Sequence, residues 1–184
     1  SKYINLFMQP AATAGLAMSS FTSQNYGAKR YDRIREGLHV CLSIALIAYV
    51  VLGSVMFFFP RALALLMLNG EESIALVVEF LPICGLMIWG VDSLFVFRNG
   101  CQGMGKPLIP MISGVAEMIM RIAAIVLLVN VVGFRATAYA EVAAWLVALA
   151  MNFTAFEYHL RKEMKYIEIP EATGKKYHYK LRRG

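Results

Sequence analysis

Four long apolar stretches limit the fold of this chain more than any other feature of its sequence. They cover residues 38–60, 74–97, 108–132 and 137–160. About 20 apolar residues in an α-helix are enough to cross the hydrocarbon layer of a bilayer. A soluble domain of 184 residues has too small an interior to bury so much apolar sequence. The stretches therefore predict membrane-spanning helices.

A fifth stretch, residues 3–23, is shorter and contains more small and polar residues. That composition favours a helix packed among other helices over one that faces lipid. Apolar and polar residues do not alternate with a period of two over these lengths, which excludes long strands and a membrane barrel. The sequence thus predicts an all-α membrane protein with about five transmembrane helices in residues 1–160, followed by a basic tail, residues 161–184.

The basic residues predict the orientation of the helices. If the five helices alternate in direction, 14 of the 18 Lys and Arg residues fall on one side, three on the other, and Arg121 lies within a helix. The positive-inside rule places the side with 14 in the cytoplasm, together with the tail. The predicted location is the cell membrane, as a multi-pass protein of a bacterial inner membrane. The tail is predicted to be partly disordered, either as a solubilising end or in contact with anionic lipid head groups.

Ionisable residues interrupt the predicted spans, although each charge near the bilayer centre costs roughly 2.5–3.5 kcal/mol. Glu117 and Arg121 are four residues apart on one helix, so they share a face and can pair. The pair is either a gate coupled to substrate or a permanent structural link. Glu79 and Glu141 lie near the outer ends of their helices, where water is accessible, which favours structural roles.

Asp92 differs because no basic residue lies three or four positions away on its helix. A carboxylate in a membrane that has no local partner must find a distant one, bind a cation or carry a proton. Asp92 is therefore predicted either to couple transport to a cation or to form a hydrogen bond with a neighbouring helix.

The sequence contains no sign of catalysis. It has no nucleotide-binding loop, no nucleophile elbow and no HExxH motif, and its three cysteines and three histidines are scattered. We therefore predict that the chain is not an enzyme and has no cofactor. The basic residues form no stripe on a polar fold, so nucleic acid is not an expected partner. Any transport would be driven by an ion gradient or by a partner chain.

Two segments resemble motifs of the multidrug and toxic compound extrusion (MATE) family. The run Gln-Asn-Tyr-Gly-Ala-Lys at 24–29, with Asp-Arg-Ile at 32–34, resembles the QNYGAG-K-x-DRI segment, with Lys29 replacing the usual glycine. The run Arg-Asn-Gly-Cys-Gln-Gly-Met-Gly at 98–105 resembles the R-N-x-x-Q-G-x-G loop. Segments 113–121 and 140–145 are similar to the family's last two helices. The residues of the two motifs that we assign to cytoplasmic loops are Gln24, Asn25, Gly27, Arg98, Gln102, Gly103 and Gly105.

The resemblance covers residues 1–160 and aligns these helices with helices eight to twelve of a twelve-helix transporter. It implies that this segment is most of the C-terminal lobe, without helices one to seven, and that the N-terminal lobe is its structural partner. It also implies export of organic, drug-like and often cationic compounds by antiport against sodium or protons. Besides that substrate, membrane lipids are expected partners. The alternatives are a lipid or polysaccharide-precursor flippase of the same superfamily, and an inactive truncated fragment or membrane anchor.

The residues predicted to couple cations or line the substrate cavity are Asp92, Glu79, Glu117, Arg121 and Gln9. Among them, Asp92 is the nearest match to a carboxylate on the tenth helix of the family's sodium-coupled branch. No metal is expected apart from sodium at Asp92.

Overall fold

The computed structural model of the chain describes residues 8–67, 70–164, 166–170 and 177–181. Its helices are α1 (Gln9–Gly27), α2 (Tyr31–Phe58), α3 (Pro60–Met67), α4 (Glu71–Gly103), α5 (Leu108–Val132) and α6 (Arg135–Met164). Two strands, β1 (Tyr166–Pro170) and β2 (Tyr177–Leu181), follow the last helix.

Four of these helices are long and apolar enough to cross a membrane: Tyr31–Phe58, Ser73–Gly103, Leu108–Val132 and Arg135–Met164. The predicted all-α membrane fold is confirmed, and the chain is a multi-pass membrane protein. The predicted span 3–23 corresponds to α1, and its residues 3–7 lie outside the described residues. Helix α1 packs against α2 and α4, as expected of a helix rich in small and polar residues.

Several helices extend beyond the apolar stretches. Helix α2 begins at Tyr31 instead of residue 38, and α4 ends at Gly103 instead of residue 97. Helix α6 extends from Arg135 to Met164 around the predicted 137–160, whereas α5 covers the same residues as its predicted span. Hydropathy marks only the part of a helix that lies in hydrocarbon, while backbone hydrogen bonds continue into the polar region beyond it.

The tail contains a short antiparallel hairpin. Strands β1 and β2 pair with Tyr166 opposite Leu181 and Pro170 opposite Tyr177. The sequence predicted no strands in this tail, so the strands at these two segments are a feature that it missed. Both strands are rich in β-branched or aromatic residues, which favour extended backbone.

Helix α4 lies at the centre of the bundle, in contact with α1, α2 and α6, while α5 packs mainly on α6. Two apolar clusters hold these helices together. One surrounds Leu81, Ile88 and Trp145, and the other surrounds Val96 and Phe156.

The turn between α1 and α2, the turn between α4 and α5 and the end of α6 lie at one end of the bundle, which we call the basic end. Two contacts tie its helices together. The Tyr26 hydroxyl donates to Glu163 at 3.1 Å, and Arg35 pairs with Glu157 at 3.1 Å. At the opposite end, Arg135 pairs with Glu79 at 3.4 Å.

A glycine sets the separation of α1 and α4. A Cβ atom on Gly103 would lie 2.6 Å from the Ser19 carbonyl oxygen and 2.7 Å from the Thr22 Cβ. These contacts are with the backbone and the first side-chain carbon of α1, which cannot rotate away. A glycine here allows the close helix approach that small residues provide in membranes.

We expect Gly103→Ala to destabilise the full-length protein, because the new methyl group must push α1 from α4. Overpacking of this kind costs typically about 1–3 kcal/mol. Gly114→Ala on α5 is the matched control, since its Cβ would have no neighbour within 4 Å. Thermal unfolding in detergent, followed by size-exclusion chromatography, should show a lower midpoint for Gly103→Ala alone. Equal midpoints for the two variants would contradict this account of the interface.

Candidate cation and substrate site

Asp92 lies in the middle part of α4 and is 2% exposed. Its Oδ1 atom is buried and accepts no hydrogen bond within the described part of the chain. No described Lys, Arg or His residue forms an ion pair with it. The predicted alternative, a hydrogen bond from a neighbouring helix, is absent at Oδ1 among the described residues. The described part of the chain therefore gives this buried carboxylate oxygen no hydrogen-bond partner, which is rare in natural structures.

Asp92 lines a cavity of about 250 Å³ between α2 and α4. The lining residues are Leu42, Ala45, Leu46 and Tyr49 from α2 and Trp89, Asp92 and Ser93 from α4. Leu46 is 56% exposed and Trp89 is 39% exposed, so the rim opens towards the outside of this bundle.

The chemistry of this cavity suits a cation. Its walls are apolar and aromatic around a single carboxylate, and aromatic faces attract organic cations. Oxygen atoms of the Asp92 carboxylate and of the Tyr49 and Ser93 hydroxyls are the hard ligand type that a small metal cation prefers. Within the described residues no three His, Cys, Asp or Glu side chains form a metal-binding group.

A second charged group is a chain of ion pairs across three helices. Arg98 of α4 contacts Glu117 of α5 at 2.8 Å, and Glu117 contacts Arg121 at 3.1 Å. Arg121 in turn contacts Glu141 of α6 at 2.9 Å. We call these four residues the ion-pair chain. Positive and negative charges alternate along it, so the group is electrically neutral.

The pair Glu117–Arg121 that spacing predicted is therefore present, but two further members were missed. Arg98 had been assigned to a loop, and Glu141 lies 20 positions from Arg121 on another helix. Neither contact has a local signal in the sequence, because each joins residues on two different helices. None of the four residues lines the cavity at Asp92.

The structure also separates the remaining predicted site residues from Asp92. Glu79 is paired with Arg135 near the start of α4, and its side chain is 46% exposed. Gln9 is the exposed first residue of α1. Of the five residues predicted from sequence, only Glu117 and Arg121 lie together, and Asp92 alone contributes to the cavity.

The assignment of the two family motifs to loops is corrected by the structure. In the first motif, Gln24, Asn25 and Gly27 lie in the last part of α1, and residues 32–34 lie in α2. The second motif continues α4, and within it only the segment from Met104 onward forms the turn. Glycine in these runs suggested a loop. Its effect here is close helix packing at Gly103 and a left-handed turn at Gly105, where φ is 72°.

The MatE family model matches residues 1–132. The chain belongs to the MatE family. Among the solved structures, the chain is similar in fold to one described as the inward-facing conformation of a multidrug resistance MATE family transporter of the MOP superfamily. That match has a TM-score of 0.74 and 19% sequence identity, and it covers 81% of this chain. At this identity the structural match shows the fold alone.

This MatE chain covers 34% of the matched transporter chain, so it spans about a third of that protein's length. No curated protein matches the sequence.

Proposed function

We propose that this MatE chain is part of a secondary transporter that exports organic, often cationic compounds by antiport against sodium or protons. The observation that carries the proposal is Asp92, a buried residue at the wall of an apolar, aromatic cavity. Its carboxylate oxygen Oδ1 has no hydrogen-bond partner among the residues that the structure describes. Membership of the MatE family supports the transport class. The rest of the substrate path would come from the remaining part of the full-length protein.

Antiport follows from competition for one carboxylate. A bare carboxylate is costly in an apolar surrounding, and a bound cation or proton neutralises it. A coupling ion and an organic cation cannot both neutralise Asp92 at the same time. If the cavity opens alternately to the two sides of the membrane, binding of one expels the other, and the gradient of the coupling ion drives export.

The walls of the cavity supply the selectivity for organic compounds. Trp89 and Tyr49 offer aromatic surfaces, and Leu42 and Leu46 offer aliphatic ones. A hydrated inorganic ion gains little from such walls, whereas an amphipathic cation gains both apolar burial and attraction to the ring faces.

The flippase alternative receives less support. A cavity for a pyrophosphate-linked lipid needs arginines that are free to bind phosphate. Arg98 near the end of α4 and Arg121 within α5 are both engaged by glutamates of the ion-pair chain. The alternative of an inert anchor gives no reason to bury an unpaired carboxylate.

We propose that the basic end faces the cytoplasm, as the positive-inside rule predicts, and that the membrane is a bacterial inner membrane. A single cysteine placed at position 33, in a variant without the native thiols, should react with an impermeant maleimide only from the cytoplasmic side. Labelling in intact cells would contradict this orientation.

The transport proposal is tested with ethidium efflux from vesicles that hold the full-length protein. Sodium and proton gradients are imposed separately. We expect one of them to drive ethidium against its own gradient. Efflux that responds to neither gradient would contradict antiport.

A further inference from the structure

We infer that α3 is an interfacial helix, which lies at the lipid head groups of the leaflet opposite the basic end. Its exposed leucines and the phenylalanines that precede it contact the upper part of the acyl chains, and Arg61 contacts lipid phosphates. This inference concerns a lipid contact outside the transport cavity, and it holds whether or not Asp92 couples transport.

Helix α3 has no polar face. Apart from Arg61, its eight residues, PRALALLM, are all apolar. One face packs against α4, where Ala64 is fully buried and Leu63 contacts an apolar cluster of the bundle. The other face carries Leu65, which is exposed, and Leu66, which is 79% exposed. A surface helix in water would place polar residues on that side, so the exposed face of α3 requires an apolar partner.

The length of α2 places α3 at the edge of the hydrocarbon layer. Helix α2 has charged residues only within its first six positions, and it then contains no Lys, Arg, Asp or Glu before it ends at Phe58. At a rise of about 1.5 Å per residue, about 20 residues from Leu38 cross roughly 30 Å of hydrocarbon, so α2 leaves that layer near its last turn. Helix α3 begins two residues after α2 ends, at Pro60. It therefore lies at the boundary between acyl chains and head groups.

The exposed surface of α3 continues an exposed apolar surface on α2. Val50 and Val51 of this candidate membrane span are exposed, and Phe57, Phe58 and Phe59 lead from them to α3. Phe58 is 70% exposed. Acyl chains that cover such residues on α2 also reach α3, because the two helices are separated by a single residue. Fluid chains adapt to separate protruding side chains, whereas a protein partner needs a matching surface. Lipid is therefore the occupant that this surface favours.

Arg61 supplies the polar contact of the helix. Its side chain is exposed, and it forms no ion pair with any residue that the structure describes. A guanidinium group binds a phosphate through two parallel hydrogen bonds. Helices that lie in the membrane interface combine such basic residues with Leu and Phe on their apolar face. The phosphates of the leaflet thus provide a partner for Arg61 while Leu65 and Leu66 enter the acyl chains.

The test measures the depth of α3 in liposomes that hold the full-length protein. Leu66→Cys and Glu71→Cys are made singly in a variant without the native thiols, and each new cysteine carries a bimane fluorophore. Glu71 is the matched control, because it is exposed at the same end of the bundle but is charged. We expect nitroxide lipids to place the probe at position 66 roughly 10–15 Å from the bilayer centre. Iodide in the water should quench the probe at position 71 and leave that at position 66 unquenched.

Two results would overturn the inference. Quenching of the probe at position 66 by iodide would show that α3 faces water. Quenching by neither iodide nor nitroxide lipid would show that protein covers this face, either a second copy or the remaining part of the full-length protein. Arg61→Gln should move the probe at position 66 deeper, because the contact that holds α3 at the phosphates is lost. An unchanged depth would overturn the role of Arg61.

Discussion

Asp92→Asn is expected to abolish ethidium efflux by the full-length protein without lowering its folded yield. Asparagine has nearly the same shape but carries no negative charge, so it can neutralise neither a coupling ion nor a cationic substrate. No ion pair is lost in the described part of the chain, because Asp92 forms none there. Removing an unpaired charge from an apolar surrounding should if anything favour insertion.

Efflux from vesicles measures the expected loss of transport, and yield after size-exclusion chromatography measures whether folding is unchanged. Glu79→Gln is the matched control, since it removes the same charge from the same helix at an exposed site. Exposed ion pairs contribute about 0–1 kcal/mol, so this variant should transport and fold like the wild type. Wild-type efflux by Asp92→Asn would refute the role of Asp92 and would move the coupling site to another part of the protein.

The second large effect is expected for Glu117→Gln, which should reduce folded yield before it affects transport specifically. Glu117 lies between Arg98 and Arg121, and its side chain is only 17% exposed. Without it, Arg121 would keep only Glu141, and Arg98 would have no ion-pair partner among the described residues. An uncompensated charge costs about 3–5 kcal/mol when fully buried, and less here because both arginines are partly exposed.

A compensating change separates this charge effect from other causes. Glu117→Gln combined with Arg98→Gln removes one charge of each sign and leaves the Arg121–Glu141 pair intact. Yield should therefore recover in the double variant towards that of the wild type. A normal yield of Glu117→Gln with loss of transport would instead show that the ion-pair chain takes part in transport.

The sequence by itself determined the membrane helices and their order. A helix that crosses the hydrocarbon layer must present about 20 apolar residues in succession, so its position is visible in local composition. Pairing between Glu117 and Arg121 was visible for a similar reason, because a spacing of four places both residues on one face of a helix. The family motifs were also local, although their glycines suggested loops where the chain continues as helix.

Tertiary structure alone decided which distant residues meet. The cavity at Asp92 joins residues 42–49 of α2 to residues 89–93 of α4, and the ion-pair chain joins α5 to both α4 and α6. Hydropathy and spacing describe one helix at a time, and they contain no information on how two helices are rotated against each other. That rotation depends on side-chain packing at contacts such as Gly103 against α1. Among the described residues it leaves Asp92 without an ion pair and supplies ion-pair partners to Glu117 and Arg121.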